Sequence, residues 1–191
     1  MNIAGFQGTS FVDFPGNIAS VVFTPGCNLN CFYCHNRWLV NEQPDIQTIP
    51  PSEVLECLKR RKGKIDGVVL SGGEPTLQEG LASFLGELKS MGYKTKLDTN
   101  GTRPALLASF IRSGSLDYVA MDIKAPRDKY ESVCGVPVDL DAVDAGEASC
   151  AKSVSALLSD LFLAPAQWVS STDSSPWWGM VWKSRLMTSS P

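Results

Sequence analysis

Short runs rich in β-branched residues alternate with amphipathic segments along residues 18–124, and this alternation limits the possible folds more than any other feature. The apolar runs predict strands over residues 18–24, 67–70, 94–98 and 118–124. Between them, the spacing of apolar residues predicts helices over residues 52–62, 78–91 and 104–112, with Ser52 as the cap of the first. Strands joined through helices at this spacing form right-handed crossovers, so we expect an α/β fold with a parallel sheet.

Polar or reactive residues follow three of these strands directly. A cysteine-rich segment follows the first strand, residues 71–75 (SGGEP) follow the second, and residues 99–101 (TNG) follow the third. The carboxyl ends of parallel strands lie at one edge of a sheet or barrel, where α/β proteins build their sites. The sequence therefore predicts one functional site that all of these segments share.

The composition excludes several classes of protein. The chain has 191 residues, of which 43% are hydrophobic and 19% charged, with a net charge of -3, and this is a globular composition. The mild acidity is unfavourable for wrapping nucleic acid. No apolar run approaches the roughly 18–20 residues that span a bilayer, and residues 1–5 (MNIAG) lack the start of a signal peptide. We expect a cytoplasmic protein without a nucleic-acid or membrane partner, with reduced thiols.

Three of the six cysteines, Cys27, Cys31 and Cys34, lie within eight residues in a C-x3-C-x2-C pattern. A disulfide is disfavoured in a reducing compartment. Structural zinc needs four ligands, and His35 could supply the fourth. Residues 31–35 (CFYCH) also match the attachment pattern of c-type haem, which normally implies export. The fourth interpretation is an iron–sulfur cluster in which one iron lacks a protein ligand and is open to chemistry.

The cysteine pattern is followed about forty residues later by residues 72–75 (GGEP) at a strand end, and the two motifs together resemble the radical S-adenosylmethionine superfamily. The resemblance implies that Cys27, Cys31 and Cys34 hold a [4Fe–4S] cluster whose fourth iron binds S-adenosylmethionine. Gly72 and Gly73 would let the backbone approach this ligand. Glu74 would accept hydrogen bonds from the substrate ammonium group.

Further segments are similar to the activating enzymes of glycyl-radical proteins, namely residues 34–36 (CHN), 97–101 (LDTNG) and 121–124 (MDIK). Residues 11–16 (FVDFPG) and 120–126 (AMDIKAP) resemble anaerobic ribonucleoside-triphosphate reductase activating proteins in particular.

This narrower resemblance assigns roles to five more residues. It implies that Asp98, Thr99 and Asp122 line the S-adenosylmethionine site, together with a monovalent cation. Lys124 would pair with the carboxylate of S-adenosylmethionine. Asn100 would hydrogen-bond the ribose or order the turn before Gly101. Independently of the resemblance, the position of Tyr33 between Cys31 and Cys34 indicates that its ring shields the cluster or stacks on adenine.

The resemblance also implies a reaction. An external reductant, flavodoxin or ferredoxin, delivers an electron, S-adenosylmethionine is cleaved, and a 5′-deoxyadenosyl radical takes hydrogen from a glycine of a glycyl-radical ribonucleotide reductase. Two alternatives remain open. One is a radical enzyme with the same cofactors and a small-molecule substrate. The other is a structural zinc protein or a catalytically inactive remnant.

The resemblance covers residues 3–143 and then fails. The family fold is a partial (βα) barrel of about six units, and only four strands are predicted here, so we expect a barrel truncated to about four βα units. Residues 144–191 contain eleven serines and four of the five tryptophans. Residues 157–162 could form one or two apolar helical turns, and beyond Pro165 there is no strand or sustained helical pattern. We interpret residues 1–143 as the radical domain. Residues 144–191 are interpreted as an atypical, poorly ordered tail from an altered reading frame, with a divergent native C-terminus as the alternative.

Overall fold

The computed structural model describes residues 1–40 and 47–157, with the side chains described up to residue 151. Within these ranges one sheet holds five strands in the order of the sequence: β1 (Gly5–Ser10), β2 (Ala19–Thr24), β3 (Gly67–Gly72), β4 (Lys94–Thr99) and β5 (Tyr118–Met121). β1 pairs antiparallel with β2, and all the other neighbours are parallel. The α/β fold expected from the sequence is confirmed, and it is consistent with a partial (βα) barrel.

The described helices are α1 (Arg37–Val40), α2 (Pro51–Arg60), α3 (Leu81–Ser90), α4 (Pro104–Arg112), α5 (Tyr130–Cys134) and α6 (Leu140–Leu157). Short 3-10 turns cover Pro75–Leu77 and Arg127–Lys129. α2, α3 and α4 connect successive parallel strands, as the alternation predicts. None of the helices in the described ranges is long and apolar enough to cross a membrane.

The main core lies between one face of the sheet and the crossover helices. Alternate strand residues on that face are buried against the leucines of α2, α3 and α4, because successive side chains of a strand point to opposite sides. Its members include Val22, Val68, Leu70, Leu97, Leu58, Leu85, Leu88 and Leu107. On the opposite face, Phe14, Val21 and Val69 form a smaller apolar cluster. Polar residues of the same face, described below, lie closer to the carboxyl ends of the strands.

Several local predictions were wrong in detail. β1 was not predicted at all. Ser52 is not the cap of α2: the helix begins at Pro51, whose fixed φ and missing N–H suit a first helical position. The last predicted strand ends at Met121 rather than at residue 124, although the Asp122 N–H still donates to the Thr99 carbonyl at 3.0 Å.

The chain continues as a helix across the predicted boundary at residue 143. α6 packs beside α4, and Val143 is buried within a third apolar cluster, which surrounds the cysteine loop. Residues 158–191 lie outside the described residues, so the division at 143 and the character of the tail stay predictions.

Candidate active site

A cavity of about 450 Å³ lies at the carboxyl ends of β2–β5. Every residue that the sequence and its resemblance assign to a site lines this cavity: Cys27, Cys31, Tyr33, Cys34, Gly72, Gly73, Glu74, Asp98, Thr99, Asn100, Asp122 and Lys124. They come from four strand ends that are separated by up to 97 residues in sequence. The structure thus brings the predicted residues together, while the role of each remains a prediction.

The backbone of the cysteine loop is held in place by hydrogen bonds to the backbone of α5 and to the Arg37 side chain. The Asn30 N–H donates to the Cys134 carbonyl at 2.8 Å, and the Phe32 N–H donates to the Val133 carbonyl at 3.3 Å. From the other side, the Arg37 guanidinium donates to the Cys31 carbonyl at 2.9 Å. The end of α5 therefore supports the loop, which fixes where the three thiols stand.

The thiols suit an iron–sulfur cluster by their chemistry. Cys27, Cys31 and Cys34 are free thiols, and Cys31 is buried. Within residues 1–40 and 47–151 no three His, Cys, Asp or Glu side chains are arranged around a single metal ion. Three cysteines of a cubane bind three different irons, so their sulfurs need not meet at one ion. Soft thiolate donors of this number fit a cluster with one open iron.

Gly72 and Gly73 are needed for contacts within the protein. Gly72 has φ +114°, and a Cβ there would lie 2.4 Å from the Thr24 nitrogen. A Cβ on Gly73 would lie 1.9 Å from the Gly26 carbonyl oxygen. The end of β3 therefore packs directly against the backbone that leads into the cysteine loop. Close approach to a ligand, the reason expected from the sequence, is not needed to explain these glycines.

Glu74 is 1% exposed, and its carboxylate is engaged by protein donors. Oε1 accepts from the Thr76 N–H at 3.1 Å, the Thr76 hydroxyl at 2.5 Å and the Thr99 hydroxyl at 2.8 Å. Oε2 accepts from the Asn100 N–H at 2.7 Å. Glu74 thereby ties the segment after β3 to the turn after β4. These partners fill Oε1 and leave one acceptor position on Oε2, where a substrate ammonium could bond directly.

Asn100 continues this connection to the cysteine loop. Its side-chain N–H₂ donates to Asn28 Oδ1 at 2.9 Å and approaches Cys27 Sγ at 3.9 Å. Its Oδ1 accepts from the Thr102 N–H at 3.1 Å and hydroxyl at 2.7 Å. Of the two roles expected for Asn100, ordering the turn is the one for which the structure supplies contacts.

Two ion pairs stand in the same cavity. Lys96 Nζ lies 2.5 Å from Asp98 Oδ1, and the Lys96 side chain is only 8% exposed. Burial raises the pKa of Asp98, while the ammonium of Lys96 and the Ser71 hydroxyl oppose the rise and Asp122 adds to it. Sequence reasoning missed Lys96, although it lies two residues before Asp98 in a strand and must share its face.

The second pair joins Lys124 Nζ to Asp122 Oδ2 at 2.8 Å. Burial lowers the pKa of Lys124, but the attraction of Asp122, supported by Tyr33 and Cys31, outweighs it and the net pKa is raised. Lys124 is thus a cation at the cavity wall whose position is held by Asp122. Asp122 is its counter-ion, with 68% of the side chain exposed at the mouth.

Tyr33 lies at the same mouth. Its hydroxyl donates to the Lys124 carbonyl at 3.5 Å, its ring meets Phe32 edge-on at a centroid distance of 5.4 Å, and burial raises its pKa to about 12. The ring therefore stays neutral at physiological pH and covers one side of the cavity.

Comparisons with known proteins agree with this geometry. Residues 21–152 match the Radical SAM superfamily. A putative glycyl-radical enzyme activating enzyme of Methanocaldococcus jannaschii is 35% identical over 130 residues, which cover 68% of this chain and 52% of that protein. The pyruvate formate-lyase-activating enzyme of Staphylococcus epidermidis is 35% identical over 137 residues, covering 66% and 54%. A probable GTP 3′,8-cyclase of Saccharolobus solfataricus is 33% identical over 119 residues, covering 61% and 38%.

The chain spans about half the length, or less, of these curated relatives. The match to the superfamily nevertheless extends over more than two thirds of the chain and includes most of β2, all of β3–β5 and every residue that lines the cavity. By sequence, fold and site, the chain belongs to the radical SAM superfamily, whose enzymes use a [4Fe–4S] cluster and S-adenosylmethionine.

Proposed function

We propose that this chain is an activating enzyme that generates a glycyl radical on an anaerobic ribonucleotide reductase. The observation that carries the proposal is the shared cavity, in which the three cysteines stand beside Asp98, Asp122 and Lys124. These last three belong to the segments that resemble glycyl-radical activating enzymes. The relatives from M. jannaschii and S. epidermidis support the same class.

Each part of the site has a distinct task in this proposal. Cys27, Cys31 and Cys34 hold the cluster. Lys124 binds the carboxylate of S-adenosylmethionine, and Asp98 and Asp122 face its ammonium and ribose groups. When bound, the cluster and S-adenosylmethionine would supply the chemistry of the reaction, which is reductive cleavage of the sulfonium carbon–sulfur bond. Gly72 and Gly73 set the distance between the segment after β3 and the start of the cysteine loop, because they pack against the backbone of residues 24 and 26.

A protein substrate must reach the cavity from outside, and the mouth has the exposure that this requires. Phe32, whose ring contacts Tyr33 of the cavity lining, is 74% exposed, and 68% of the Asp122 side chain is exposed. We propose that the glycine loop of the reductase enters here, and that flavodoxin or ferredoxin supplies the electron. A cytoplasmic location is part of the proposal, because there the cluster thiols stay reduced. No nucleic-acid or membrane partner is proposed.

The test is an EPR measurement on the anaerobically reconstituted chain mixed with reductant, S-adenosylmethionine and the reductase. We expect a glycyl-radical signal on the reductase. Cys31→Ala should abolish both iron binding and the signal. Cys57→Ala should leave both unchanged, since Cys57 lies on α2, outside the cavity. A cluster-loaded chain that cleaves S-adenosylmethionine without producing a glycyl radical would contradict the proposal.

A second candidate is a radical enzyme that acts on a small molecule. The 33% identity to the probable GTP 3′,8-cyclase of S. solfataricus favours it. In this case GTP alone, without any protein partner, should stimulate 5′-deoxyadenosine release from the reconstituted chain. No stimulation by GTP, together with stimulation by the reductase, would leave the activating enzyme as the better proposal.

A further inference from the structure

Two N–H groups point at the sulfur of Cys27. The Leu29 backbone N–H lies 3.4 Å from Sγ, and the side-chain nitrogen of Asn100 lies 3.9 Å away. The first is local, since Leu29 is two residues further along the same loop. The second comes from the turn after β4, 73 residues away in sequence, so its presence depends on how the fold places that turn.

The orientation of the Asn100 amide is fixed from several sides. The residue is 5% exposed. Its Oδ1 accepts two hydrogen bonds from Thr102, and its backbone N–H is held by the Glu74 carboxylate at 2.7 Å. With the oxygen committed to donors, the amide nitrogen must face Asn28 Oδ1 and Cys27 Sγ, which are both acceptors.

We propose that Asn100 is a positioning residue that donates a hydrogen bond to the Cys27 ligand sulfur and so makes the cluster easier to reduce. Reduction adds negative charge to a cluster and its thiolates, and an N–H donor stabilises that charge more in the reduced state. Hydrogen bonds to the sulfurs are among the determinants of cluster potential. The inference rests on Cys27 being a cluster ligand. It does not depend on which substrate receives the radical.

The experiment compares two variants of the reconstituted chain in an anaerobic redox titration followed by EPR. Asn100→Leu keeps the volume and removes the donor to sulfur. Thr102→Val removes a hydroxyl from the same network, with its bonds to Asn100 and Asn28, but leaves the Asn100 N–H₂ group in place. We expect a more negative midpoint potential for Asn100→Leu and a clearly smaller shift for Thr102→Val. Equal shifts, or none, would overturn the proposal.

A second measurement leaves Asn100 unchanged and decides the matter if Asn100→Leu does not fold. The chain with Asn28→Asp and Asn36→Asp, labelled with ¹⁵N only at asparagine side-chain amides, keeps Asn100 as the labelled amide among the described residues that line the cavity. It should show a ¹⁵N coupling to the reduced cluster in pulsed EPR. The absence of this coupling in a chain with an intact cluster overturns the proposal. A wild-type chain that assembles no cluster would reject the ligand assignment itself, and with it both this inference and the proposed function. An intact cluster without the coupling rejects this inference alone.

Discussion

Replacing Glu74 with glutamine perturbs a buried, heavily hydrogen-bonded side chain of the site. The Glu74 carboxylate is buried and accepts four hydrogen bonds, three at Oε1 and one at Oε2. Glutamine has nearly the same shape but only one acceptor oxygen. In its best orientation the amide oxygen keeps the Thr76 and Thr99 donors, and the NH₂ group then faces the Asn100 N–H. One hydrogen bond is lost, and a buried N–H is left without its acceptor.

The magnitude follows from these contacts. A hydrogen bond to a charged group contributes about 1.5–3 kcal/mol, and an orphaned buried donor costs about 1–3 kcal/mol. The neutral amide no longer has to be buried as an ion, which offsets part of this loss. We therefore expect Glu74→Gln to lower the free energy of unfolding by about 2–3 kcal/mol.

The assay is equilibrium urea unfolding of the cluster-free chain under anaerobic, reducing conditions, followed by circular dichroism. Glu79→Gln is the matched control, because Glu79 is an exposed carboxylate five residues further along the chain. The control should lie within about 0.5 kcal/mol of the wild type. If both variants unfold at the same urea concentration with the same slope, the Glu74 contacts do not carry the energy assigned to them.

Two further predictions concern glycine packing and the buried lysine. Gly73→Ala should lower the free energy of unfolding by about 3 kcal/mol or more, because its Cβ would meet the Gly26 carbonyl oxygen. Gly86→Ala in α3, where an added Cβ has nothing within 4 Å, should raise it by about 0.5–1 kcal/mol. Similar urea midpoints for the two variants would contradict this. Lys96→Met should raise the pKa of Asp98 further, because in the wild type the Lys96 ammonium opposes the rise that burial causes. A carboxyl group with a raised pKa binds protons more readily in the folded chain, so stability falls as pH rises towards the folded pKa. The stability deficit of Lys96→Met should therefore be larger at pH 7 than at pH 4.5. A deficit that does not vary with pH in urea titrations would refute the assignment.

Much of the fold could be predicted because local and tertiary preferences agree in it. The four parallel strands and the three crossover helices have apolar residues at the periods of their own structures. β1 could not be found in this way. Its sequence, GFQGTS, has two glycines and no alternation, and it becomes a strand because it pairs with the exposed edge of β2. Such pairing is a property of the folded sheet that no local pattern reports.

The site divides in a similar way. Its candidate members were predicted from motifs at or just after strand ends and from the resemblance to a known family, and the structure brings them together because strand ends converge. Their contacts were harder to predict. Cys134 belongs to no recognisable motif, yet it is fully buried beside Cys31 in the apolar side-chain cluster that surrounds the cysteine loop. Asn28 lies inside the cysteine motif, but its role in holding Asn100 depends on a turn 72 residues away.

The contacts explain why motifs so far apart in sequence work as one unit. Gly73 lies against the Gly26 carbonyl, so the segment after β3 sets the position from which the cysteine loop starts. Glu74 then holds Asn100, and Asn100 reaches Cys27 and Asn28. Three strand ends are thereby joined through hydrogen bonds and packed backbone, with little freedom to move separately. A substitution in any one of these segments must displace the others, so the energetic effects of changes at Glu74 and Asn100 are not expected to be additive. The cysteine pattern and residues 72–75 are therefore needed for the packing of this edge of the sheet as well as for the proposed chemistry.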